Sequence, residues 1–248
     1  MNAESDGPDR RAAVEQFADA LLGAVERVVD PGGERIEGAL NALRHRVIEF
    51  VRRYHRLQID VEAGALDEPV LFVANHVSWV DIEVMHSQRM MGFVAKREIA
   101  GWPVVGWLAA RGQTIFHQRG NTESLGGVME EMAKRLREDR PVAVFPEGQT
   151  GDGRALLPFH ANLLQAALDA GAPVQPVGLR FLDGIGGATS DAPSFVGDES
   201  FLGSVWRTLK APGITAVVHF GAPERALGRD RRAWSQALHA AVDALRHG

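Results

Sequence analysis

From residue 70 onward the chain alternates short apolar runs with amphipathic stretches, and this alternation limits the fold more than any other feature. "VLFVA" (70–74) reads as a buried strand and "WVDIEVMHSQ" (79–88) as a helix. "MGFVAK" and "QTIFH" read as strands flanking a helix in "PVVGWLAAR". A helix in "TESLGGVMEEMAKRLRED" leads to the strand "PVAVF", a helix in "HANLLQAALDA" and the strand "PVQPVGLRF". Continuous apolar runs separated by helices predict an α/β fold, a mostly parallel sheet flanked by helices on both faces. Residues 183–213, rich in Gly, Ser, Asp and Pro, read as a long irregular excursion before a late strand, "ITAVVHF", and a closing helix, "DRRAWSQALHAAVDALRH".

Upstream, two stretches have helical apolar spacing, "AAVEQFADALLGAVERVV" and "RIEGALNALRHRVIEFVRRYHRL", separated by the breaker "DPGGE". They predict an N-terminal amphipathic helical hairpin over 12–57, ahead of a main domain over 58–248. Arg44, Arg46, Arg52, Arg53 and Arg56 give its second helix a basic face. Such a hairpin can lie in an anionic membrane interface, or pack on the domain with its arginines in water.

Composition excludes several classes. Net charge is -5, so no overall basic surface argues for nucleic acid. Cysteine is absent, which removes disulfides, thiolate nucleophiles and cysteine-ligated metals. No run of 18 apolar residues suggests a transmembrane helix, and "MNAESDGPDRR" lacks the apolar core of a signal peptide. His117 and His160 have no partner at metal-ligand spacing, so no metal is expected.

Asn75 and His76 fall at the carboxyl edge of the first strand, where α/β sheets bind ligands. The stretch "NHVSWVD" admits two readings. Ser78 and Asp81 match an S-x-x-D capping box at a helix start. Alternatively, a turn at His76 lets Asp81 lean back onto the imidazole, fixing its tautomer and raising the basicity of its other nitrogen.

Three later stretches bear on this choice. "GQTIFHQRG" carries Arg119, "FPEGQTGDG" carries Glu147 and Gly148, and "PVQPV" carries Pro176. With "NHVSWVD", in this order and spacing, they resemble the glycerolipid acyltransferase family, of which bacterial lysophosphatidic acid acyltransferases are typical. That family's blocks are N-H-x-x-x-x-D, G-x-x-x-F-x-x-R, F-P-E-G and a proline-centred strand. "FVAKREIAGWPVVGWLA" is similar to its lysine-bearing segment. The likeness covers about residues 70–181 and continues more weakly through "FVGDESF" to "VHFGAP".

The resemblance implies a general base at His76, oriented by Asp81, that takes the proton of an acceptor hydroxyl attacking a thioester. It implies an acceptor phosphate held by Arg119 with help from Lys96, contacts to substrate from Glu147 and Gly148, and supporting roles for Asn75, Ser78 and Pro176. Acyl-CoA or acyl carrier protein is the implied donor, a lysolipid of the 1-acylglycerol-3-phosphate type the acceptor, and no cofactor is implied. The expected setting is cytoplasmic, peripheral on the inner face of the membrane. One departure stands out. The commonest third block continues E-G-T-R-S, whereas this chain reads Glu147-Gly148-Gln149-Thr150-Gly151, with Arg154 the next arginine. Variants lacking that arginine occur among acyltransferases that finish ornithine lipids, so a lyso-ornithine acceptor is an alternative. A soluble acyltransferase acting on a metabolite or carrier-bound intermediate is another. A lipid- or acyl-CoA-binding module without catalysis is a third, against which the intact His76 and Asp81 pair argues.

Overall fold

The computed structural model describes residues 58–60, 64–101, 106, 109, 112–117, 122–211 and 213–247. The hairpin expected over 12–57, Arg119 and, apart from Gly106 and Ala109, the helix expected in "PVVGWLAAR" lie outside them.

Seven strands form one sheet in the order β1-β7-β6-β2-β5-β3-β4. They are β1 (Gln58–Asp60), β2 (Leu71–Ala74), β3 (Gly92–Lys96), β4 (Ile115–His117), β5 (Val142–Val144), β6 (Val174–Asp183) and β7 (Ile214–Phe220). Every pairing is parallel except β6 with β7, which runs antiparallel from Val177↔Phe220 to Asp183↔Ile214. The described helices are α1 (Val80–Gln88), α2 (Arg97–Ala100), α3 (Thr122–Arg137), α4 (Gln165–Ala170), α5 (Phe201–Lys210) and α6 (Arg231–Leu245).

Strand alternation divides the core into two halves. Leu71, Val73, Val142, Val144 and Val174 point to the face covered by α3, α4 and α6, where Met132, Leu136, Trp234, Leu238 and Val242 pack. Phe72, Ala74, Phe93, Ala143, Val177 and Leu179 point to the other face, against Val80, Val84 and Met85 of α1. Both faces are dry, which is why these strands read as unbroken apolar runs. Each fully buried Leu, Phe or Met side chain contributes about 1.5–3 kcal/mol.

Two elements depart from expectation. The excursion over 183–213 carries helix α5, opened by Ser200, whose hydroxyl accepts from Gly203 N at 3.1 Å. The Gly-, Ser-, Asp- and Pro-rich chain before it masks it, although Phe201, Leu202, Val205, Trp206 and Leu209 have helical spacing; Ser204 and Thr208 are buried while Leu202 and Trp206 are exposed. The edge strand β1 is three residues long, too short to show a period.

The proline-centred strand has its own local solution. In an antiparallel pair, two facing residues exchange N–H···O bonds. Gly221 N donates to Pro176 O at 2.9 Å, but proline has no N–H to return. The side chain of Gln175 supplies it, Nε2 donating to Gly221 O at 2.9 Å and to Gly64 O at 2.7 Å, while Oε1 accepts from Leu66 N at 2.9 Å. Pro176 is thus a buried, structural residue opposite Val73 of β2.

Glu83 on α1 is half-buried, and burial pushes its carboxyl from 4.5 up to about 7. The unfolded chain releases that proton near pH 4.5 and the folded chain only near 7, so stability falls as pH rises between them and stays reduced above. Glu83→Gln should therefore raise the melting temperature at pH 8 and leave it unchanged near pH 4.5. The gain has a ceiling of about 3 kcal/mol, lowered by the side chain's remaining contact with water. Thermal melts across this range check it, and an equal effect at both pH values would contradict it.

Candidate active site

Because β2, β3, β4 and β5 are parallel, their carboxyl ends share one edge of the sheet. That edge gathers Asn75 and His76 after β2, Phe145 to Gly148 after β5, and Lys96 and His117 at the ends of β3 and β4. Lys96 is exposed and pairs in register with His117. Arg119 comes two residues after His117, outside the described residues.

Asp81 lies in the first turn of α1, fully buried. Its Oδ2 accepts from His76 Nδ1 at 2.7 Å, Val77 N at 2.7 Å and Ser78 N at 2.9 Å. The capping reading and the imidazole reading are therefore both satisfied by one oxygen. The bond to Ser78 N is the returning half of a capping box, while the hydroxyl of Ser78 accepts from Val80 N at 3.3 Å. A carboxylate facing Nδ1 makes that nitrogen the protonated one, leaving Nε2 as the basic position. The Oδ1 atom of Asp81 is buried and has no hydrogen-bond partner among the described residues.

The neighbouring block holds the turn from the other side. Glu147 Oε1 accepts from His76 N at 2.7 Å, and Oε2 accepts from Leu157 N at 2.8 Å. Burial pushes the Glu147 carboxyl above its ordinary range, a tendency opposed by these two N–H donors and the nearby His76 and reinforced by the charge of Asp81. Glu147 is 5% exposed, and its two oxygens tie the backbone of His76 to that of Leu157. Gly148 comes next with φ 71°, and a Cβ there would sit 3.1 Å from the His160 ring. Asn75 faces inward, Nδ2 donating to Leu179 O at 2.9 Å and Oδ1 accepting from Leu179 N at 2.7 Å, which clamps β2 to β6.

One contact was not foreseen, although its partner, Phe145, is the phenylalanine of the F-P-E-G block. The His76 imidazole stacks flat on Phe145, centroids 4.0 Å apart and planes 7° from parallel. Phe145 in turn stacks on Phe93 at 5.6 Å, and Phe93 meets the edge of His86 at 5.0 Å. The remainder of the third block is also occupied. The hydroxyl of Thr150, at the place of the usual arginine, donates to Phe195 O, and Gly151 N donates to His76 O at 2.7 Å. Arg154 forms an exposed ion pair with Asp191 at 2.8 Å. No group of three or more His, Asp or Glu among the described residues is placed to hold a metal ion.

A face-on aromatic ring stabilises a cation by about 0.5–2 kcal/mol. If His76 becomes an imidazolium during turnover, Phe145→Leu should lower kcat about 2- to 30-fold. KM should change little, because Phe145 lies behind the imidazole. Steady-state kinetics test this, and unchanged kcat in a folded variant would remove the ring from the mechanism.

The acyltransferase family model matches residues 46–180. The chain is 34% identical over 215 residues to a lyso-ornithine lipid O-acyltransferase of Pseudomonas aeruginosa, spanning 84% of this chain and 82% of that protein. It is 35% identical over 217 residues to a 1-acyl-sn-glycerol-3-phosphate acyltransferase of Neisseria meningitidis, spanning 85% and 84%. In three dimensions it matches the crystal structure of the lysophosphatidic acid acyltransferase PlsC of Thermotoga maritima, with a TM-score of 0.57 at 19% identity, covering 98% of this chain and 83% of that one. That last likeness is one of fold. The family match and the two relatives carry the assignment: the chain belongs to the acyltransferase family.

Proposed function

We propose that this chain is a lysolipid O-acyltransferase that moves an acyl group from acyl-CoA or acyl carrier protein to a hydroxyl of a 1-acylglycerol-3-phosphate-like acceptor, with no cofactor. The observation that carries the reading is the 2.7 Å contact of His76 Nδ1 with the buried Asp81 carboxylate, at the ligand-binding edge of an acyltransferase sheet. Nε2 takes the acceptor's hydroxyl proton as the oxygen attacks the thioester carbonyl carbon. The carbon–sulfur bond breaks, and the departing thiolate takes the proton back from the imidazolium. Asp81 stabilises that imidazolium without itself becoming protonated. No acyl-enzyme is needed, in keeping with a chain that has no cysteine.

Arg119 is assigned to the acceptor phosphate, where a guanidinium fork meets two oxygens, with Lys96, at the carboxyl end of β3, as a second positive charge. A lyso-ornithine acceptor is the second reading. It is favoured by Thr150, which stands in place of the usual arginine and is bonded to Phe195 O rather than open to a phosphate. The enzyme works on the inner face of the cytoplasmic membrane as a peripheral protein. No helix among the described residues is long and apolar enough to cross a bilayer.

His76→Ala should lower acyl transfer about 10²–10⁴-fold while the melting temperature holds. A radiolabelled acyl-transfer assay decides it, and activity within a few fold of wild type would sink the mechanism. Arg119→Ala should raise KM for lysophosphatidic acid about 10- to 150-fold, the loss of a charge-assisted contact of roughly 1.5–3 kcal/mol. It should spare an acceptor without a phosphate monoester. Equal losses on both acceptors would reassign Arg119 to the donor or the fold, and an outright wild-type preference for lyso-ornithine lipid would favour the second reading.

A further inference from the structure

Helix α5 is built inside out. Leu202 and Trp206, 77% and 49% exposed, lie four residues apart on one outward stripe that ends at the exposed Lys210. The inward face carries Ser204 and Thr208, 0% and 1% exposed. Their hydroxyls are satisfied internally, Ser204 Oγ by Trp79 Nε1 at 3.3 Å and Thr208 by the carbonyl of Ser204 at 2.8 Å. A helix surrounded only by water would present the opposite pattern.

The helix is also coupled to the imidazole turn. Phe201 packs edge-on against Trp79 at 5.9 Å and Phe195 at 6.5 Å. Trp79 belongs to the turn itself, and Phe195 N donates to Val77 O at 3.1 Å, one residue from His76. Val196, next in sequence to Phe195, is 45% exposed.

We infer that the Leu202–Trp206 stripe of α5 is a membrane-docking surface that seats the imidazole turn against a lipid bilayer. This deepens the proposed function and rests on it, since a lysolipid acceptor must be collected from a bilayer. Chemistry favours lipid over a protein partner. Lys210 Nζ lies 4.8 Å over the Trp206 ring, pairing an interfacial aromatic with a cation able to reach headgroups. Arg207 is neutralised by Glu199 and bonded to the carbonyls of Ala192 and Ser194, so it braces the loop rather than serving the surface. With one cation on an apolar stripe, insertion of side chains dominates over charge attraction.

The test uses the full chain and vesicles of phosphatidylethanolamine and phosphatidylglycerol. The paired change Leu202→Glu and Trp206→Glu alters exposed positions and should leave the melting temperature and acylation of a monomeric short-chain lysolipid within about 2-fold. Vesicle partitioning should fall at least about 10-fold, and acylation of bilayer-embedded acceptor should fall with it. Trp206→Phe should retain most of the binding, and wild-type binding should persist near 1 M salt, where the Debye length is about 3 Å. Unchanged vesicle partitioning in the paired variant would overturn the inference, as would a loss of self-association on sedimentation, which would identify a second copy as the occupant. Equal loss of activity on both acceptors would overturn it too, placing the stripe in the substrate pocket. A wild type that binds vesicles through this stripe yet acylates no lysolipid would refute the proposed function and leave the docking surface standing.

Discussion

Everything at the site depends on one buried oxygen. Asp81 Oδ2 receives three donors, two backbone amides and the His76 ring, all within 2.9 Å. The amides belong to Val77 and Ser78, so the same atom that orients the imidazole also bends the chain into α1. Fold and chemistry cannot be separated here. A residue that kept the turn but lost the charge would hold the imidazole without stabilising its protonated form. The buried Oδ1, with no partner among the described residues, leaves the carboxylate under-solvated. A positive charge formed on His76, as the proposed reaction requires, would lie 2.7 Å from a group that gains from it.

Around that oxygen the sheet supplies adjacency. β2 lies between β5 and β6, so the turn leaving β5 must stand beside the turn leaving β2. Glu147 therefore reaches the backbone of His76 across 71 residues of sequence, and Asn75 reaches Leu179 across 104. Two polar side chains that are conspicuous in the motifs turn out to hold backbone. Their value is rigidity: an imidazole stacked on Phe145, bonded to Asp81 and carried on a turn tied down by Glu147 has little freedom left.

The parallel strands were legible because strands buried on both faces must be apolar throughout, as "VLFVA" and "VAV" are. His76 and Asp81 were legible as a pair because their bond is local, and five residues suffice to place it. The third-block arginine was legible as missing, but not what replaced it, since Thr150 pairs with a carbonyl 45 residues away. Gln175 standing in for the N–H of Pro176 needs the β6–β7 register, which no local pattern encodes. Helix α5 was not legible within 183–213 because Gly, Ser, Asp and Pro dominate that stretch and outweigh the helical spacing of Phe201, Leu202, Val205, Trp206 and Leu209. The acyltransferase resemblance was drawn from four short blocks, and the matches over most of the chain extend it well beyond them.

That inversion of α5 fits the rest of the molecule. The proposed reaction would move an acyl group from a water-soluble thioester carrier to an acceptor whose chain resides in lipid, so the imidazole would have to face both phases. Polar positioning comes from the sheet edge, where Glu147, Asn75 and Asp81 are all turned inward onto backbone. On that proposal contact with lipid falls to elements outside the sheet, and α5 is such an element, tied to the turn through the ring contacts of Phe201 with Trp79 and Phe195. A helix that hid Leu202 and Trp206 would be more stable in water, since burying side chains of this size contributes about 1.5–3 kcal/mol each. Their exposure is a cost carried by the folded chain in water, and insertion into a bilayer would return it.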